Sequence, residues 1–98
     1  MEKRLNEDRL TLINISVKTD KIKIVEKKLG RERAWGRSWR GESFIEIDPR
    51  QKSRQYLNTL IHELLHVIYP EESETKVREH SGVLTKYIWE KNYRRIYK

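Results

Sequence analysis

The stretch Thr59-Leu60-Ile61-His62-Glu63-Leu64-Leu65-His66-Val67-Ile68-Tyr69 constrains this chain more than any other. It sets His62 and His66 four residues apart, with Glu63 directly after the first. On a helix, positions i and i+4 lie one above the other on one face. Two imidazoles at that spacing can hold one tetrahedral zinc at about 2.0–2.1 Å. Glu63, one residue along, lies beside such a metal rather than on it, where a general base for a zinc-bound water belongs. The run is the H-E-x-x-H pattern, whose physical content is two ligands and a base on one helical surface.

The helix itself is supported by residues outside the motif. Leu57, Leu60, Ile61, Leu64 and Ile68 recur at three- and four-residue spacing and predict a core-facing stripe. His62 and His66 fall on another stripe, with Gln55, Thr59 and Tyr69. Asp48-Pro49-Arg50-Gln51 reads as a helix start, with an N-cap acid, proline in the first turn and Gln three residues on; Ser53 is the alternative start. The helix must stop near Tyr69-Pro70, because a residue before proline is biased out of the helical region. A second helix follows, with Ser73 as N-cap, Glu71, Glu72 and Glu74 crowding its start, and Val77, Ser81, Leu84 and Ile88 as its core stripe. Lys91, Arg94, Arg95 and Lys98 suit its C-terminal end.

Ahead of these helices the pattern changes to short strands. Leu10 to Val17 is rich in β-branched residues and reads as a strand or extended lead-in after a charged segment 1–9. Asp20 marks a turn. Lys21 to Val25 alternates, Gly30 ends that segment, Ala34 to Trp39 is a further strand, and Gly41 turns the chain into Ser43 to Ile47, where apolar residues alternate with Glu46. Trp35 and Trp39 are expected to pack on the sheet rather than stack on a substrate. The expected fold is α+β, a small, twisted, mainly antiparallel sheet of three to four strands packed on the helix of the histidines and a following helix.

Ninety-eight residues suit one small domain with a single modest core, so 1–98 is read as one unit. No stretch approaches the about 18 apolar residues of a membrane span, and the charged Met1-Glu2-Lys3-Arg4 start lacks a signal-peptide pattern. A soluble, cytoplasmic protein with no membrane partner is expected. The chain has no cysteine, so a metal must be held by histidine and carboxylate. Its net charge of +7 is compatible with nucleic acid as a partner, but the basic residues are spread along the chain without a nucleic-acid motif. With 38% charged residues of both signs, a heavily charged surface of the heat-adapted kind is favoured. Either a monomer or a homodimer fits.

A catalytic zinc needs a third protein ligand and one open position. The only other histidine is His80; the competing carboxylates are Glu71, Glu72, Glu74 and Glu79. At about 100° per residue, Glu74 lies about 60° to one side of the Val77–Leu84–Ile88 stripe and His80 about 60° to the other. Helical geometry leaves both open.

The chain resembles the gluzincin metallopeptidases, and in particular the minimal soluble proteins called minigluzincins. The resemblance is carried by Ala34-Trp35-Gly36, Ile45-x-Ile47-Asp48-Pro49-Arg50, the run from Thr59 to His66, and the helix from Val77 to Trp89. It implies Zn²⁺ as cofactor, Glu74 as third ligand, and peptide or protein substrates added to an edge strand within Ala34–Ile47. In that family an acid four residues after the glutamate often supports a zinc-binding histidine; here the position is Arg78, a departure. The resemblance also implies a latent form, a zymogen, with residues 92–98 as a tail masking the cleft.

The expected activity is peptide hydrolysis by zinc-activated water, with His62, His66 and Glu74 as ligands and Glu63 as base; His80, Arg78 and the tyrosines are candidates to stabilise the oxyanion. The alternative is a basic DNA-associated protein, or a SprT-like protease with a His62/His66/His80 zinc site.

Overall fold

The computed structural model describes residues 21–96. Among the described residues, three strands, β1 (Lys23–Glu26), β2 (Gly36–Ser38) and β3 (Phe44–Ile47), precede two helices, α1 (Ser53–Ile68) and α2 (Glu74–Glu90), with a 3-10 turn at Gly30–Glu32. This is the small α+β architecture expected from the pattern. The lead-in proposed for Leu10 to Val17, and with it any fourth strand, lies outside the described residues.

Strand β3 is central, in the order β1-β3-β2. It runs antiparallel to β2, with Gly36 opposite Ile47 and Ser38 opposite Ile45, and parallel to β1, with Lys23 paired to Phe44 and Glu26 to Ile47. The sheet is therefore mixed, because the chain visits the far edge of β3 as β2 before entering β3 itself. A central strand is flanked by neighbours on both edges, and β3 is more buried than simple alternation predicts. Ile45 and Ile47 are fully buried, and Glu46 is nearly so. Glu46 lies there because Arg37 donates to it at 2.7 Å and Lys27 approaches at 3.7 Å.

The Asp48 segment does something other than start a helix. Helix α1 begins at Ser53, the later of the two expected starts, and its N-cap position, Lys52, makes no side-chain cap bond. Asp48 is fully buried and accepts from the Leu29 N–H at 2.8 Å, the Arg50 N–H at 3.0 Å and the Arg50 guanidinium at 2.9 and 2.6 Å. A charge-assisted bond to arginine is stronger than a cap bond to neutral N–H groups, and it decides where the carboxylate goes. The same guanidinium, aided by the two backbone N–H groups, holds the Asp48 carboxyl well below the usual carboxylate range against the opposing effect of burial. Gln51 is likewise structural. Its amide donates to Asp48 O and Trp35 O and accepts from Thr59 Oγ1 at 2.7 Å, tying β2 to α1.

The helices meet along a face different in detail from the apolar stripes. On α1, Tyr56, Glu63 and Val67 are buried, while Leu57, Leu60, Ile61, Leu64 and Ile68 are half-buried. On α2 the buried residues are Val77, Ser81 and Thr85; Leu84, expected in the core, is exposed, and Ile88 is half-buried. Four-residue spacing and small side chains account for the exchange of Leu84 for Thr85. Thr85 donates to Asn58 on α1 at 3.1 Å, satisfying both hydroxyl and amide at the contact. Ser73 caps α2 as expected, accepting from the Lys76 N–H at 3.1 Å. Among the described residues, no helix is long and apolar enough to cross a membrane.

Candidate metal centre

Helix α1 carries His62, Glu63 and His66, and Glu74 is the first residue of α2 after the short connection through Tyr69-Pro70. Tyr69 ends α1 by donating its N–H to Leu65 O, and the Glu72 N–H returns to Tyr69 O at 3.0 Å. This tight reversal delivers Glu74 to the two histidines. His62 Nε2 and His66 Nε2 are 3.2 Å apart; His66 Nε2 lies 2.8 Å from Glu74 Oε1, and His62 Nε2 lies 3.2 Å from Glu74 Oε2.

These separations can be tested against a metal. Ligand atoms bound to a tetrahedral zinc at about 2.0–2.1 Å stand about 3.3 Å from one another. The observed distances of 2.8 to 3.2 Å are close to that edge. The chemistry agrees: two imidazole nitrogens and a carboxylate converge on one point, bringing more lone pairs together than the ring protons can satisfy. His62, His66 and Glu74 could hold a metal ion, and among the described residues they are the grouping of histidine, aspartate and glutamate placed to do so. His80 is exposed and stands outside that group. Arg78 points to the glutamate rather than to a histidine, donating to Glu74 Oε2 at 3.3 Å.

Glu63 stands apart from the ligand atoms and is only 8% exposed. Ser38 Oγ donates to its Oε1 at 2.7 Å, fixing the carboxylate from the strand side. Strand β2 reaches the helix this closely because Gly36 has no side chain. A Cβ at Gly36 would lie 2.6 Å from Thr59 Cγ2 and 3.2 Å from Glu63 Cγ. Ser38, Gly36 and Gln51 are the positions that motif reasoning passes over. The Trp35-Gly36 pair on a short strand is a signal for Gly36; Ser38 has no local signature, and the one Gln51 carries, as part of a helix start, points to a different role.

The site opens into a cleft of about 510 Å³, walled by Trp35, Gly36, Ser38 and Arg40 on one side and by Asn58, Thr59 and the ligands on the other. Trp35 is 48% exposed and borders this cleft, while Trp39 stacks on Phe44 with ring centroids 5.6 Å apart. Of the expected oxyanion candidates, neither Arg78, His80 nor any described tyrosine lines the cleft; Arg40 and Asn58 do. At the rim, Arg40 on the turn after β2 pairs with Glu71 on the connection between the helices.

The segment after α2 lies elsewhere. Tyr93, Arg94 and Arg95 border a hollow with Tyr56, Leu57 and Leu60 of α1, residues distinct from those lining the metal cleft. Arg95 sits 3.9 Å above the Tyr56 ring and Arg94 3.5 Å above that of Trp89. The part of 92–98 expected to mask the cleft is thus, through Arg95, seated against another face of α1; residues 97 and 98 lie outside the described residues.

No curated protein and no solved structure matches the chain. A family model, Peptidase M78, described as the IrrE N-terminal-like domain, matches residues 17–89, a span that takes in the three described strands, the motif helix and nearly all of α2. Three quarters of the sequence, roughly, falls within that match, and the chain belongs to the IrrE N-terminal-like peptidase family.

Proposed function

We propose that the protein is a zinc-dependent metallopeptidase of the gluzincin type, close to the minigluzincins in size and ligand set. The observation that carries this is the convergence of His62, His66 and Glu74 at 2.8 to 3.2 Å, with the buried Glu63 beside them. Bound there, zinc would lower the pKa of a water and polarise a carbonyl.

The chain's own residues supply the rest. His62 and His66 present Nε2 to the centre, and Glu74 closes the third side. Glu63 takes a proton from the attacking water and returns it to the leaving amine, at an oxygen whose neighbour is held by Ser38. Arg40 and Asn58, which line the cleft, are the side chains able to donate to a developing oxyanion. Strand β2 is both an edge of the sheet and a wall of the cleft, so a peptide can add alongside it by β-pairing.

The test is zinc per chain, measured in protein purified without chelators. Near one zinc in the wild type, lost in Glu74→Ala and retained in His80→Ala, is the expected result. Loss in His80→Ala alone would replace this assignment with a three-histidine site. In Glu63→Gln the zinc is expected to stay and peptide cleavage to disappear; retained cleavage would remove Glu63 from the mechanism.

A further inference from the structure

We propose that the hollow beside the 3-10 turn binds the phosphate backbone of a nucleic acid, at a site separate from the metal centre. Its walls are Lys27, Lys28, Gly30, Arg31 and Arg50, around about 520 Å³, and none of them lines the metal cleft. Four of these five residues are cationic, and no acidic side chain among the described residues lines the hollow.

The charge survives its local neutralisation. Asp48 is committed to Arg50, and Glu46 is shared between Lys27 and Arg37. Counting Arg37 with the wall residues, five cations meet two carboxylates among the described side chains, an excess of three. A concave surface of one sign concentrates counter-ions and focuses the field on whatever enters it.

The hollow is also partly pre-arranged. Arg50 turns Nε and Nη2 to the buried Asp48, so the plane of its guanidinium is fixed before any anion arrives. A fork already set loses less side-chain freedom on gripping a phosphate. A Cβ at position 30 would lie 3.3 Å from Arg50 Nη2, so a side chain there would crowd the guanidinium.

The length of the basic surface favours a polymer over a free phosphate. Residues 21–33 include six basic residues, Lys21, Lys23, Lys27, Lys28, Arg31 and Arg33, and two acidic ones, Glu26 and Glu32. Glu26 is engaged by the Tyr56 hydroxyl at 2.7 Å. From Lys23 to Lys27, along the edge strand β1 and one residue beyond it, the chain advances roughly 13 Å, more than one phosphate spans. Contacts of this kind carry affinity without reading sequence.

The experiment is fluorescence anisotropy of the full chain with labelled single-stranded and duplex DNA, across a salt series. The variant K27Q/K28Q/R31Q is compared with K76Q/K86Q/K91Q, which removes the same three charges from exposed positions on and just after α2. In the first, affinity is expected to fall at least about tenfold, and the slope of log K against log salt to fall by about two to three. In the second, affinity stays within about threefold. Equal weakening in both triples would show that net charge alone is responsible and would overturn the site. No binding by the wild type at low salt would do the same. Pyrophosphate displacing the DNA at equimolar concentration would assign the hollow to free phosphates and overturn the nucleic-acid claim. Should either triple fail to fold by circular dichroism, the single reversals K28E and K86E carry the same comparison.

Discussion

Ser38 and Glu63, twenty-five residues apart, meet in a 2.7 Å hydrogen bond that joins strand β2 to helix α1 beside the candidate metal centre. The serine hydroxyl donates, so it fixes the direction in which the carboxylate points. Ser38→Ala is expected to leave zinc content unchanged. It should lower kcat/KM on a cleaved peptide about tenfold, the size of one hydrogen bond to a charged group. An unchanged rate would mean that Glu63 is positioned by the helix alone.

Gly36 is the point where the sheet presses on the helix. Gly36→Ala places a methyl 2.6 Å from Thr59 Cγ2 and should cost about 1–3 kcal/mol of stability. Thr59→Ser removes that Cγ2 and keeps the hydroxyl that bonds Gln51. The double variant is therefore expected to recover a large part of the loss in denaturant unfolding. Simple additivity of the two changes would show that the contact is not the cause.

Asp48 gives the domain an acid limit. Its folded pKa is depressed, first by the Arg50 guanidinium and then by the Leu29 and Arg50 N–H groups. Its contribution is therefore fully present above the unfolded value of about 3.9 and is lost as pH falls toward the folded one. Asp48→Asn should be less stable than wild type at neutral pH and should lose less on acidification from about pH 5 to pH 2. Thermal melts across that range decide it; parallel curves would rule Asp48 out as the source.

At the alkaline end the matching group is Tyr56. Burial raises its phenol pKa, and the hydrogen bond to the Glu26 carboxylate adds to the shift. A raised folded value means stability that is whole below about pH 10 and declines as pH rises through the folded pKa. Tyr56→Phe should cost about 1 kcal/mol near neutrality and give a flatter stability curve above pH 10 or so. A wild type as flat as the variant would contradict this.

The helices and the grouping of the histidines were legible because their signals are local. The spacing of His62 and His66, the Pro70 stop and the Ser73 cap each act within a few residues, and the structure has α1 ending at Ile68 and Ser73 capping α2. What depended on distant partners was not legible. Asp48 carries a helix-start pattern, yet Leu29 and Arg50 claim its carboxylate. Leu84 outranks Thr85 in hydrophobicity, yet the close approach of α1 at Asn58 favours the smaller, hydrogen-bonding residue. The parallel pairing of β1 with β3 joins residues twenty-one apart in sequence, and no turn residue announces it. Ser38 is an ordinary strand serine until the fold sets it opposite Glu63.

The ligand triangle draws two of its members from α1 and the third from the first residue of α2. An ion held there acts as a clasp across the reversal at Tyr69-Pro70, in a domain whose helix contact is otherwise made by small side chains such as Ser81 and Thr85. Stability would then be coupled to occupancy through the free concentration of the metal. Chelation should loosen α2 from α1 and expose the Glu71–Glu72 connection to cutting by an added protease. The lifetime of the chain would then follow the availability of that ion, so that the centre would set how long the protein persists.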